Sequence, residues 1–116
     1  MKTFAQFVSE ENKEHDNLSD KEVVAIVGMN AAKNIRNHPL SHHVRGDSTN
    51  RIKTDAASHW LTTTSKDNEH RIQYQIDNRK ASGKIYGATT YVRDHDQENA
   101  AGASGNPIWK KHRSTM

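Results

Sequence analysis

From His70 to Asp77 the chain alternates strictly: Ile72, Tyr74 and Ile76 fall on one parity, Arg71, Gln73 and Gln75 on the other. A period of two sends successive side chains to opposite faces of a strand, so this segment predicts a sheet with one apolar and one wet face. Such a sheet needs an apolar layer over its dry side, and that layer is offered upstream. Ser19-Asp20-Lys21-Glu22 has the form of a capping box, in which the Ser hydroxyl and the Glu carboxylate satisfy orphan backbone donors at a helix start. Val23, Val27, Ala31 and Ile35 follow at four-residue intervals, with Val24 and Ile26 widening the stripe. The helix is expected to stop before Pro39, whose ring disfavours helical geometry in His38. The combination predicts an α+β fold, an N-terminal helix packed on a small twisted antiparallel sheet, with flexible polar termini.

The remaining strands are weaker signals. Arg45-Gly46-Asp47 reads as a turn, Asn50–Thr54 as a short strand and Trp60–Thr64 as a β-prone run. Asp77–Gly83 is a polar turn leading into a strand over Lys84–Arg93. In that strand Ile85, Gly87, Thr89, Tyr91 and Arg93 are predicted on one face and Tyr86, Ala88, Thr90 and Val92 on the other. Gln97–Pro107, rich in Ala, Gly, Ser and Asn, reads as a flexible linker, so 97–116 is expected to be linker and basic tail around a domain at 19–96.

Composition sets the scale of that domain. Leu, Ile, Val and Phe together number 18 of 116 residues, which leaves a modest core with little surplus over chain entropy. The charge balance, 17 basic against 14 acidic side chains, lacks the large excess that keeps a chain unfolded. No apolar run is long enough to span a membrane, and the first ten residues lack the continuous apolar segment of an export signal. Without cysteine there is neither a disulfide framework nor a thiolate metal site. His38 and His42 have the four-residue spacing of two ligands on a helix face, with His43 adjacent. Pro39 interrupts that face and a third ligand is lacking, so no metal or other cofactor is expected.

A sequence pI near 9.3 and eight histidines point toward an acidic partner. Trp109, Lys110, Lys111 and Arg113 form a compact basic tail with one aromatic. It reads either as a nucleic-acid clamp working by charge and stacking, or as a frayed terminus with a docked Trp. Asp94-His95-Asp96 reads as a strand end able to titrate near neutrality.

Phe4, Phe7 and Val8 share one face of a short helix, and residues 11–18 follow as a polar spacer. Two turns with three anchors do not stand alone, so the segment is suited to being held by something else. Met1-Lys2-Thr3-Phe4-Ala5-Gln6-Phe7-Val8-Ser9-Glu10 resembles the capsid-targeting leader of the internal head proteins of T-even-type tailed phages. Lys2, Thr3, Phe4, Phe7 and Val8 carry the targeting pattern, and Val8, Ser9 and Glu10 the cleavage site. Val8 departs from the Ile or Leu usual before the cut. The resemblance implies docking to the prohead scaffold, cleavage after Glu10 by the prohead protease, packaging with phage DNA, and injection into the host cytoplasm. Removing ten residues deletes Lys2 and Glu10 and leaves 16 basic against 13 acidic side chains, a balance suited to storage among phosphates.

Over roughly Lys21 to Asp96, the order of helix, Pro-bounded loop and antiparallel strands resembles the RelE/YoeB-type ribonuclease toxins. The most similar stretch is Trp60, then Glu69-His70-Arg71-Ile72-Gln73-Tyr74-Gln75-Ile76-Asp77, a polar turn, and the strand Lys84–Arg93. That resemblance implies metal-independent cleavage of an RNA backbone, with Arg71 on the phosphate, Asp47 as base, and His70, Tyr91 or His95 completing the acid–base set. The family's C-terminal His and aromatic have no clean counterpart, and the pattern drifts after Thr90. The leading expectation is a non-enzymatic head protein that binds a host protein or RNA, or the phage DNA itself. A toxin-like endoribonuclease and a sequence-indifferent DNA-binding filler of the capsid are the alternatives.

Overall fold

A computed structural model describes residues 14–100 and 107–115. The targeting and cleavage residues Lys2, Thr3, Phe4, Phe7, Val8, Ser9 and Glu10 lie outside the described residues. The chain runs β1 (Glu14–Leu18), α1 (Asp20–Val27), α2 (Met29–Arg36), a 3-10 turn at Ser41–His43, β2 (Ser48–Thr54), β3 (Ser58–Ser65), β4 (His70–Asp77), β5 (Ile85–Arg93), α3 (His95–Ala100) and β6 (Trp109–Thr115). All six strands join one antiparallel sheet in sequence order, so every neighbour in the sheet is also a neighbour along the chain. The fold is α+β.

The capping box is formed: Glu22 N–H donates to Ser19 Oγ, and Ser19 N–H donates to Glu22 Oε1. The apolar stripe does not make one helix, however. Gly28, at φ +93°, breaks it into α1 and α2 while Val23, Val27 and Ala31 all remain buried. A side chain disfavours that backbone conformation, which is why the break falls on glycine. The stripe meets Ile52, Leu61, Ile72, Tyr74, Ile76 and Ala88, the residues of one parity in β2–β5, and these form the core. The β4–β5 loop closes on the start of α2. Asn30 and Asn34 donate their side-chain amides to the Ala81 and Gly83 carbonyls, at 3.0 and 2.7 Å.

Three expectations need correction. Residues 11–18 are not only a spacer: Glu14–Leu18 is edge strand β1, with Leu18 buried and Glu14 and Asp16 paired to Arg51 across the sheet. The segment 97–116 is not only linker and tail. It contributes the end of α3 and the whole of β6, whose neighbour is β5. Glu98 secures this closure by accepting from Arg93 at 2.6 Å and from the Ile108 N–H at 2.8 Å. Finally, a register shift opposite Gln75/Ile76 leaves Tyr86 without a partner and pairs Ile85 with Ile76. A bulge of one residue reverses side-chain parity, so Ile85 packs on the core while Gly87, Thr89 and Tyr91 face the other way. The shorter strands also extend beyond their predicted bounds, β2 from Ser48 and β3 over Ser58–Ser65.

Candidate functional site

Helices α1 and α2 cover one face of the sheet, and the other face is built from the opposite parity. Its rows follow the register. Thr49, Thr64, Arg71, Tyr91 and Lys111 form one line across β2–β6, Arg51, Thr62, Gln73, Thr89 and Ser114 a second, and Lys53, Trp60, Gln75 and Gly87 a third. The face carries no aliphatic side chain in these rows, only polar groups, cations and aromatic rings. A concavity of about 550 Å³ lies over it, walled by Asp16, Arg51, Lys53, Trp60, Thr62 and Arg71 among others. A smaller one of about 160 Å³ shares Thr62, Arg71 and Gln73 with it and reaches Tyr91 and Trp109, so the two form one groove.

Arg71 stands where the two concavities meet. Its Nε donates to Thr64 Oγ1 at 3.0 Å, and its guanidinium lies 4.3 Å from the centre of the Trp109 ring. Thr64 and Trp109 thus hold the planar group from its inner edge and from one side. Among the described residues, no carboxylate pairs with Arg71 and no hydrogen bond is made by its terminal nitrogens. Half-burial, and then the neighbouring Arg51 charge, push its pKa below the usual guanidinium value. Both causes disfavour the cation, and an anion in the groove would offset them by its opposite charge.

Trp60 is placed by the β2–β3 hairpin. Asp55 accepts from the Ala57 and Ser58 N–H groups at 2.9 and 2.8 Å, which shapes the turn, and its other oxygen accepts from Trp60 Nε1 at 3.0 Å. Those donors, with the Ala57 N–H first, hold the Asp55 carboxyl below the usual carboxylate range. The result is a half-buried indole whose one polar atom is satisfied by its own turn. Arg51 is differently disposed. It pairs with Glu14 and, at 3.0 Å, with Asp16, so β1 sets two carboxylates along the rim of the groove.

The residues singled out in the sequence separate into groups. Arg71 and Tyr91 are cross-strand partners on the open face. His70 shares parity with Ile72 and turns to the helix side, where its ring lies 5.2 Å from that of His43. Asp47 precedes β2, exposed, and its backbone carbonyl accepts from the Lys66 N–H. His95 opens α3 and pairs with Glu69 at 2.7 Å, which raises its pKa above the ordinary imidazole value. These groups share one end of the sheet with Arg71 but do not converge on its guanidinium.

The basic tail also divides. Trp109 and Lys111 belong to the open face by register, whereas Lys110 and Arg113, opposite Val92 and Thr90, belong to the helix side. The Trp109 ring is enclosed between Arg71 and Arg93, the latter 5.8 Å from its centre, so it braces the site from within. Its indole N–H is buried and has no hydrogen-bond partner among the described residues.

Arg51, Lys53 and Trp60 were not expected at the site. A signal existed: Arg51 and Lys53 flank Ile52, so burial of Ile52 forces both onto the far face. Among the described residues no group of His, Asp and Glu is arranged to hold a metal, and no helix is long and apolar enough to cross a membrane. Comparison with protein-family models, with curated proteins and with solved structures finds no match.

Proposed function

We propose that the chain is an internal head protein of a T-even-type phage that binds nucleic acid through the open face of its sheet. Two lines support the reading. The Met1–Glu10 pattern supports delivery through the prohead, with the scaffold and prohead protease as partners, the DNA-filled capsid as first location and the host cytoplasm as second. The observation that carries the binding role is Arg71, a braced guanidinium with its terminal nitrogens directed to no carboxylate among the described residues, at the centre of a polar groove. A planar fork of this kind matches the oxygens of a phosphate two at a time. Lys53 and Lys111 add exposed positive charge on the same face.

The toxin-like fold and its nuclease chemistry belong to a second reading, favoured by one observation: Arg71 and Tyr91 lie side by side over the groove. Backbone cleavage also needs a base beside the attacking hydroxyl. His70 lies on the opposite face, so binding without cleavage is the better supported function.

The test has two arms. Co-expression with the prohead protease, followed by N-terminal sequencing, is expected to yield a product beginning at Glu11. In the second arm, binding of the full chain to labelled DNA or RNA is followed while salt rises from about 50 to 200 mM, where each phosphate contact contributes roughly −0.7 to −0.9 to the log–log slope. An intact N-terminus after exposure to active protease removes the capsid role. Absence of salt-sensitive binding removes the nucleic-acid role, and Arg71-dependent strand cleavage replaces it with the nuclease.

A further inference from the structure

We infer that the groove selects single-stranded over duplex nucleic acid, with one unpaired base stacked on Trp60 and the adjoining phosphate held by Arg71. The inference rests on the nucleic-acid reading and adds a mode of recognition to it.

Three observations carry it. First, Trp60 is fixed before any ligand arrives, because its Nε1 donates to Asp55 and Asp55 is itself held by two backbone N–H groups of the same turn. A tryptophan whose polar atom is satisfied internally has its ring face left as its remaining means of contact. Preorganisation of this kind removes an ordering cost from binding. Second, Trp60 and Arg71 line the same concavity of about 550 Å³, within the range of about 300–1,000 Å³ typical of small-ligand sites. On the register they are separated by four residues along β3 and by one strand, roughly 14 Å between backbones. Trp60 is tied to Asp55 at the β2–β3 turn and Arg71 to Thr64 and Trp109 at the other end, so the concavity between them stays open to a nucleotide. Third, Thr62 and Gln73, directly opposite each other, line the same concavity and supply a hydroxyl and an amide able to donate to and accept from a base.

Strand selectivity follows from the chemistry. In a duplex both faces of every internal base are covered by neighbouring pairs, so a π-face is offered only where a base is unstacked. The cations of the face bind either form through phosphate, but Trp60 interacts fully with only one. Base–aromatic stacking tolerates every base, so the preference concerns strandedness and not sequence.

The experiment compares the unsubstituted full chain with Trp60→Leu and Trp60→Phe, using one labelled oligonucleotide both single-stranded and annealed to its complement. The expected result is tighter binding of the single strand. Trp60→Leu weakens that binding by roughly ten-fold or more, the value of one lost stack, with duplex affinity unchanged. Trp60→Phe, which keeps a ring but loses the bond to Asp55, retains most of the affinity. Where Trp60→Leu fails to fold, a 2-aminopurine strand and the unsubstituted chain serve instead, and stacking predicts quenching of the base fluorescence on binding. Equal weakening of both forms by Trp60→Leu, a duplex preference, or bound 2-aminopurine without quenching overturns the inference. Arg71-dependent, salt-sensitive binding then still supports nucleic-acid recognition through charge alone. Failure of both forms to bind removes the two readings together.

Discussion

Arg71 can be replaced in two ways that separate charge from shape. Lysine keeps one positive charge but loses the planar fork, the bond from Nε to Thr64 and the guanidinium contact over the Trp109 ring. Alanine loses all of these. One of the fork's three nitrogens is committed to Thr64, which leaves two for a single phosphate. A hydrogen bond involving a charged group is worth about 1.5–3 kcal/mol, so Arg71→Ala is expected to weaken nucleic-acid binding by roughly ten- to a hundred-fold. One fewer phosphate contact should also flatten the salt dependence by about 0.7 for a single strand. Arg71→Lys, retaining the charge, should leave that slope unchanged while losing about ten-fold in affinity through the missing bidentate geometry.

The measurement is fluorescence anisotropy of a labelled oligonucleotide across a salt series, with a thermal melt of each variant beside it. The melt matters because Arg71 also covers Trp109, and a cation–π contact contributes about 0.5–2 kcal/mol to a total stability of about 5–15 kcal/mol. Both variants should therefore melt somewhat lower yet remain folded at the assay temperature. A folded Arg71→Ala with native affinity and native salt slope would place the phosphate elsewhere and refute the reasoning. An equal slope change in both variants would show that charge never entered separately from geometry.

Other consequences follow from the same contacts. Neutralising Glu14 and Asp16 together, as E14Q with D16N, releases Arg51 from its two partners on the rim; binding should strengthen several-fold and the salt slope steepen by about one contact, and unchanged binding would mean that Arg51 does not reach the ligand. A side chain at Gly83 meets Asn30 Cβ at 2.4 Å and the Ala31 backbone nitrogen at 2.7 Å, with φ at +62°. Gly83→Ala should consequently cost about 2 kcal/mol or more in a denaturant melt, and a cost near zero would show that the β4–β5 loop is not seated on α2. The Glu98 carboxyl is pulled down to about 2, chiefly by the Arg93 side chain and then by the Ile108 N–H. A group depressed in the folded state stabilises above its ordinary pKa, and its contribution is lost as pH falls toward the depressed value. Acid should thus loosen β6 over that window, visible as a change in Trp109 emission, and Glu98→Gln should abolish that acid-dependent step.

What the sequence made legible was local. The capping box at Ser19, the alternation in β4 and the turn at Asp77–Gly83 each depend on residues within a few positions of one another, and each is present. What it concealed depends on contacts across the sheet. β1 contains one buried apolar residue, Leu18, and its pairing with β2 is supported by Glu14 and Asp16 reaching Arg51, more than thirty positions away. β6 has no apolar alternation, because as an edge strand it keeps Lys110, Lys111, His112 and Arg113 exposed, and charge on an edge opposes pairing with further chains. Its attachment comes instead from the ladder with β5, the Ile108 N–H bond to Glu98, and one indole held between two guanidinium groups.

The site was concealed for a related reason. Its residues come from β2, β3, β4, β5 and β6 at positions that carry no common spacing, and only the register aligns them. Parity nevertheless constrained them once the dry face was known. Burial of Ile52 sends Arg51 and Lys53 outward, burial of Leu61 sends Trp60 and Thr62 outward, and burial of Ile72 does the same for Arg71 and Gln73. The bulge at Tyr86 is the exception that matters. It lets Ile85 reach the core while Gly87, Thr89 and Tyr91 stay on the open side. Deleting Tyr86 removes the extra residue and leaves Ile85 directly before Gly87, so ordinary alternation keeps Ile85 opposite Ile76 in the core and Tyr91 beside Arg71. The deletion variant is therefore expected to remain folded and to keep its Arg71-dependent nucleic-acid binding. Loss of binding and stability together would mean that the bulge itself, and not the parity it sets, holds the open face in place.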